Sequence, residues 1–524
     1  MIRRPPRSTQ SRSSAASDVY KRQSQNPLVS LNRFVLGELG RFQVAINPKG
    51  YPGGTYTTPV GFPSFNSKNK YNEFAFYVND NWKLTDRITV NLGLRYEYYG
   101  PQTKSEPKYD SNFYYGTESA SVNTSSPQEL IAALRTGRVY PTNESPIGAL
   151  WKSDWNNWAP RLGFAWDVTG DGRTSVRGGY GIGYERNFGN VTFNVLFNPP
   201  EYLVASIDSG VDVPFIPIYT DNQGPFGGVA GITKTIPRGS LRHIDQNIET
   251  AYAHFYAASF QRELVPGFFA SVEYSGSSGR KLYDLADPNK PGAPLIYLGQ
   301  GGPFDRPNTQ YTAFNTRGNR GKSQYHGLTF SADIRRLGNT GLSLTGRYTL
   351  STTKDNLSST FSESANNFNL GYLDAFDPQL DYGYSDFDIR HRAAISGIWN
   401  LPFGNDASGL ARAFIGDWQL NWILTMRSGS PFTLWDCTNG FFYCMRAQDP
   451  IGIDTKATSG TSTGNPNEFK LLDLSKLVPF AGGYVNPLTG TSDFGPYPAD
   501  MLKRNALRGP GFWNIDFGLS KRVR

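Results

Sequence analysis

Residue types able to do chemistry are sparse in this chain, and the densest group is acidic. Asp374, Asp377 and Asp381 lead into Asp386-Phe387-Asp388 and then Arg390-His391-Arg392. Hard cations need several oxygen ligands, so Asp374, Asp377 and Asp381 form a candidate site for Ca²⁺ or a cationic ligand. The competing reading, which we prefer, makes Asp386, Asp388, Arg390 and Arg392 ion-pair partners at the rim of a strand. Cys437 and Cys444 are the only cysteines. In an oxidising compartment so close a pair is expected to form a disulfide that staples the base of its loop. With no second Cys or His pair nearby, a metal site there is disfavoured.

Other patterns dissolve on inspection. Gly460-Thr461-Ser462-Thr463-Gly464 fits the spacing of a nucleophile elbow, but no apolar strand leads in, and Asn465-Pro466 follows where a helix would have to start. The run 178–184 (GGYGIGY) lacks the Lys and helix of a phosphate loop. Its Tyr180, Ile182 and Tyr184 alternate with glycine as in a strand. The histidines at 243, 254, 326 and 391 are scattered, with none at metal-ligand spacing. No catalytic constellation emerges, so the expectation is a non-enzyme without metal or cofactor.

What these residues hang on is a set of strands. Residues 73–99 read as two strands joined at Thr85-Asp86. In the second, Ile88, Val90, Leu92, Leu94, Tyr96 and Tyr98 share one face, while Thr89, Asn91, Gly93, Arg95 and Glu97 share the other. The run is about as long as a tilted strand needs to cross a bilayer, roughly 9–11 residues. The pattern returns. Leu162, Phe164 and Trp166 oppose Arg161 and Asp167, and Trp513, Ile515 and Phe517 oppose Asn514 and Asp516. Composition agrees: only 38% of residues are hydrophobic and the mean hydropathy is −0.47, yet aromatics reach 14%. A polar lumen, polar loops and two aromatic girdles account for that mixture.

Connections alternate between short and long. Strand pairs at 73–99, 158–185, 248–276, 323–352 and 389–430, with a last strand at 511–523, are separated by excursions at 100–157, 186–247, 277–322, 353–388 and up to about 509. The expected fold is therefore all-β: a partial antiparallel transmembrane β-barrel of about 11–12 strands with long extracellular loops, the twelfth strand lying at 32–46. Trp158, Leu162, Phe164, Trp166, Ile88, Leu92, Leu94, Trp513, Ile515 and Phe517 are expected to face lipid. Arg95, Arg161, Arg177, Arg347 and Asp516 are expected to face the lumen. Alternation alone does not separate this from a soluble sandwich. Ser126-Pro127-Gln128-Glu129 matches a capping box and predicts a short helix, read as a local ornament of its loop.

The Arg- and Ser-rich residues 1–23 resemble the translation of a sequencing adapter and are set apart from the barrel domain, 24–524. They hold six of the 52 Lys+Arg and one of the 44 Asp+Glu, so the net charge of +8 becomes +3 without them. The basic balance then gives no argument for a nucleic-acid partner.

The stretches 76–97, 156–168, 385–392 (SDFDIRHR), 416–432 and 504–521 (RNALRGPGFWNIDFGLSK) resemble the C-terminal barrel of TonB-dependent outer-membrane receptors, particularly the Oar-like group. That resemblance implies a Gram-negative outer-membrane location, outer-membrane lipid around the wall, and an extracellular solute as ligand. It also implies partnership with the TonB system through a plug domain. The chain departs from the family pattern in having no visible plug and no terminal aromatic after Lys521-Arg522-Val523-Arg524, so the expectation is a piece of a longer gene. The leading function is a receptor or transporter for a bulky solute, such as an oligosaccharide or a siderophore-like ligand. The alternatives are an adhesive or structural surface barrel without transport and, behind it, a secreted carbohydrate-active β-protein, for which no carboxylate pair stands out.

Overall fold

The computed structural model describes residues 35–36, 41–64, 68–116, 122, 124–186, 198–208, 226–227, 229–335, 340–359, 371–404, 408–436, 444–447, 461–462, 469–470, 485–488, 490 and 495–522. Residues 1–23 lie outside that set. Eleven long strands make the wall: β1 (Glu73–Lys83), β2 (Ile88–Tyr99), β3 (Trp158–Asp167), β4 (Thr174–Glu185), β5 (Ala251–Val265), β6 (Phe268–Ala286), β7 (Phe314–Ile334), β8 (Leu342–Asp355), β9 (His391–Asn400), β10 (Trp418–Arg427) and β11 (Phe512–Lys521). Each pairs antiparallel with the next in sequence, and β1 and β11 form the two edges, so the sheet is an unclosed meander. Two short segments extend its upper rim: Leu241–Ile244 runs parallel to β7, and Gly383–Tyr384 runs antiparallel to β8. No helix among the described residues is long and apolar enough to cross a membrane.

The short turns follow from local chemistry. Between β3 and β4 the Asp167 carboxylate accepts the amides of Gly170 at 2.9 Å and Gly172 at 3.0 Å, and both glycines take positive φ, 76° and 74°. Glycine has no Cβ to penalise that conformation. At the first turn Thr85 Oγ1 accepts the amides of Arg87 and Ile88.

Register sorts the side chains into two faces across the whole sheet. One line of direct partners runs through Ile88, Trp166, Val176, Phe260, Val272, Phe330, Tyr348, Ala393, Met426 and Trp513. One residue away runs Asp167, Ser175, Gln261, Ser271, Ser331, Arg347, Ala394, Thr425 and Asn514. Every residue expected to face lipid lies on the first face. Arg95, Arg161, Arg177, Arg347 and Asp516 lie on the second. Among the described residues no second sheet or helix covers the apolar face; Trp513 is 69% exposed and Phe517 76%. Removing each such side chain from water is worth about 1.5–3 kcal/mol, so a face of this extent is solvated by lipid and not by water. That excludes the sandwich reading.

Four elements differ from expectation. Arg41–Ile46 is a strand but not a wall strand; it pairs with Leu203–Asp208 in a separate two-stranded sheet. β6 and β7 run 19 and 21 residues, well beyond the expected 276 and 323, because their upper ends pair outside the bilayer zone. Helix α1 (Pro127–Thr136) starts at Ser126 as the capping box requires, the Ser126 hydroxyl accepting the Glu129 amide, but it is no ornament. Its Leu130, Ile131, Ala133 and Leu134 pack with Phe113, Val139, Leu241 and Phe314 into the largest buried cluster among the described residues. The long loops thus build a head with its own core above the wall.

Candidate functional site

Two features of the geometry bear on function: a cavity on the polar face of the wall and the packed head above it. The cavity, about 940 Å³, is lined by residues as far apart in the sheet as Gln261 on β5 and Asp516 on β11. One cavity touches both because the sheet curls with its polar face inward. Asp333, Ser343, Thr345, Ser396 and Asn421 supply hydrogen-bonding groups along it, and Phe269, Ile398 and Ile423 supply apolar surface. Such a lining suits a solute or chain segment with mixed character.

In the head, the acidic residues singled out by sequence are engaged in building the protein. The Asp381 carboxylate accepts the Leu373 amide at 2.7 Å and a guanidinium N–H of Arg446 at 2.6 Å. The Asp374 carboxylate accepts the Phe376 amide at 2.9 Å and the Tyr297 hydroxyl. Asp377 caps the short 3₁₀ turn at 378–381 by accepting the Gln379 amide at 3.1 Å. Their oxygens point to different partners. Among the described residues no group of three or more His, Cys, Asp or Glu side chains is placed to hold a metal.

Asp386 and Asp388 do form ion pairs at a strand rim, but with other arginines than Arg390 and Arg392. Arg504 pairs with Asp386 at 3.4 Å and with Asp355, and Arg508 pairs with Asp388. Asn505 adds bonds from Nδ2 to Asp386 at 2.7 Å and to the Tyr384 carbonyl at 2.8 Å. The two quoted stretches SDFDIRHR and RNALRGPG are therefore halves of one network. Sequence reasoning missed Arg446, Arg504 and Arg508, which lie 65 to 149 positions from their carboxylate partners. A further pair, Arg320 with Asp284 at 3.2 Å, ties the upper end of β7 to that of β6.

The centre of the head holds His243, fully buried among the rings of Phe113, Tyr115 and Phe314. Its Nδ1 meets the Thr316 hydroxyl at 3.1 Å, and burial, with the charge of Arg317 adding to it, pushes its pKa down to about 3. The imidazole is neutral at ordinary pH and serves packing. Nearby, burial lifts Asp110 to about 6.

Cys444 is buried and disulfide-bonded. Cys437, the only other cysteine, lies outside the described residues. Of the elbow-like pentapeptide, Thr461–Ser462 pairs with Phe469–Lys470, and Gly460, Thr463 and Gly464 lie outside the described residues. The glycine-rich run 178–184 sits within β4, where Tyr180, Ile182 and Tyr184 face the apolar side.

The family model described as "Outer membrane beta barrel domain" matches residues 8–524. No curated protein matches the sequence. Among solved structures, the outer membrane transporter YddB from Escherichia coli is similar at 10% identity and a TM-score of 0.34, covering 71% of this chain and 44% of that one. The FrpB iron transporter from Neisseria meningitidis gives 11% and 0.33, covering 70% and 35%. The ferripyoverdine receptor of the Pseudomonas aeruginosa outer membrane gives 11% and 0.33, covering 72% and 31%. The chain thus spans less than half the length of each of these structures.

Proposed function

The chain belongs to the outer membrane beta barrel domain family, and from that premise we propose that it forms the wall and extracellular head of a TonB-dependent receptor. In this reading the head captures a bulky solute, an oligosaccharide or a siderophore-like ligand. The polar cavity then lies on its way through the wall. One observation carries the proposal: a single sheet turns its apolar face outward to lipid and its polar face onto a cavity, with a packed head above. Asp355, Asp381, Asp386 and Asp388 of the head are spent on Arg446, Arg504 and Arg508, which suits a rigid binding surface and not acid–base catalysis, so we read the chain as a non-enzyme.

The test is uptake of labelled oligosaccharide and ferric-siderophore pools by cells carrying the gene, with TonB intact or deleted. Accumulation that disappears without TonB supports the reading. Binding that persists without any accumulation in either strain overturns transport and leaves the second reading, a surface barrel that only binds. The fully packed core of the head, around Phe113, Ile131 and Phe314, is the observation favouring that second reading.

A further inference from the structure

The polar face of the wall gathers arginines that no described carboxylate neutralises. Asp386 and Asp388, the carboxylates closest in sequence to Arg390 and Arg392, are taken by Arg504 and Arg508. Arg347 on β8, Arg390 just before β9, Arg392 on β9 and Arg427 at the end of β10 are all exposed, and none makes an ion pair with a described carboxylate. Register brings them together. Arg392 and Arg427 are direct partners. Arg347 stands opposite Ala394, two residues from Arg392 on the same face. Arg390 continues that face upward, its carbonyl accepting the Ser351 amide at 3.0 Å.

This arrangement works against the sheet. Like charges set directly opposite one another on paired strands are destabilising. Elsewhere on the same face the wall avoids that cost, since Arg95 is bonded to Glu97 at 2.6 Å. The nearest carboxylate on the line of Arg392 is Glu273, reached through Thr349 and Thr329. It is three strands away, about 14 Å at ordinary strand spacing. A cluster that costs stability and lacks counterions calls for an anion from outside the chain.

Position ties the cluster to the cavity. Thr345, Ser396, Ile423 and Asp516 are successive partners from β8 to β11, and all of them line it. Arg347 stands two residues above Thr345 on the same face, and Arg392 and Arg427 stand four above Ser396 and Ile423. At about 3.4 Å per residue, the arginines begin about 7 Å above that line and reach about 14 Å above it, on the side of the head. A solute descending from the head meets them before it meets the cavity.

We propose that Arg347, Arg390, Arg392 and Arg427 dock a solute bearing clustered oxyanions, sulfate or phosphate esters on an oligosaccharide, at the upper mouth of the cavity. The proposal deepens the receptor reading and rests on it. Guanidinium is always charged and presents its N–H groups as a planar fork that matches two oxygens of a sulfate or phosphate. The Arg427 guanidinium stands over the Phe512 ring, 5.6 Å from its centre, and stacking of that kind leaves the edge of the fork open. Arginines grouped on the wall of a pore select anions in the same way.

The test is fluorescence anisotropy of the folded 524-residue chain in detergent with labelled sulfated maltohexaose and with the unsulfated sugar. Each charge-assisted contact is worth about tenfold or more, so the expected preference for the sulfated sugar is on the order of a hundredfold, shrinking as salt rises. R392Q/R427Q is expected to lose most of that preference. R173Q, which removes an exposed cation at a short turn, is expected to keep it. Relief of the Arg392–Arg427 repulsion leaves the urea midpoint of R392Q/R427Q unchanged or raised. Should that variant not fold, R347Q reads the same preference, with a loss of about tenfold. Equal affinity of the wild type for the two sugars, an equal loss in R173Q, or an unchanged preference in folded R392Q/R427Q overturns the proposal. A preference lost together with a lowered urea midpoint also overturns it, since the arginines then serve packing. Absent uptake with the sulfate preference intact fails the transport reading alone, and equal binding of the two sugars with uptake intact fails this proposal alone.

Discussion

Arg504 meets Asp355 in a buried ion pair although 149 positions separate them in the chain. The same guanidinium bonds Asp386 and the Ser358 hydroxyl, and so fastens the last long loop to the upper ends of β8 and the strand rim beside it. Removing it leaves carboxylates buried without a counterion. Arg504→Met is expected to cost about 3–5 kcal/mol of head stability. Limited proteolysis will show it as faster cleavage within residues 428–511, while the gel shift of the folded wall is retained. Equal cleavage rates in variant and wild type would reject the role of this pair.

His243 makes head stability depend on acidity. Its folded pKa is depressed to about 3 from an ordinary 6.5, so the folded head binds fewer protons than the open one between those values. Its contribution is fully present above pH 6.5 and is lost as pH falls toward 3, at about 1.4 kcal/mol per pH unit. Asp110 titrates in part of the same window with the opposite sign, so the measurement is the difference between wild type and His243→Gln, in which Asp110 cancels. Hydrogen exchange of head amides from pH 7 to pH 4 checks the slope. A flat difference would contradict it.

Neighbouring residues on β6 test which way the wall faces. Val272 lies on the apolar face and Ser271 on the polar one. Val272→Arg is expected to cost about 2–4 kcal/mol on folding into vesicles, because it sets a charge in hydrocarbon. Ser271→Arg points into the lumen and is expected to change stability by less than about 1 kcal/mol. Urea titration in vesicles measures both, and the reverse order would invert the assignment of faces.

The disulfide of Cys444 is expected to join Cys437. Non-reducing peptide mapping of exported protein will show the 437–444 linkage, and reduction will speed proteolysis within 428–511. Two alkylatable thiols in that material would reject it.

How much of this was legible beforehand depended on the range of the interaction. Ile88–Tyr98 and Trp513–Leu519 announce their faces because side-chain alternation is a property of the strand itself. The capping box at Ser126 is likewise local, and α1 began where it said. Arg41–Ile46 looked like wall because alternation does not name a partner, and its partner, Leu203–Asp208, lies far along the chain. The upper ends of β6 and β7 were hidden for another reason: SSGRK and NTRGNRGKS carry no apolar periodicity. The ion pairs of Arg504 and Arg508 join separate loops, and no local spacing encodes them. The acidic run was visible as charge, but the arginines that meet Asp381 and Asp386 sit more than 60 residues away and could not be named from it.

The length of β6 and β7 has a mechanical meaning. A strand of 21 residues extends about 70 Å, more than twice the tilted path through the hydrocarbon. The two together are a mast stepped in the bilayer, paired from Phe268–Ile334 up to Ala286–Thr316 with register shifts between Gly279 and Asp284, and the Arg320–Asp284 pair braces its top. A pull on the head is therefore not absorbed by slack linkers. The same two strands line part of the polar cavity, through Phe269 and Asp333, so head and cavity share continuous backbone.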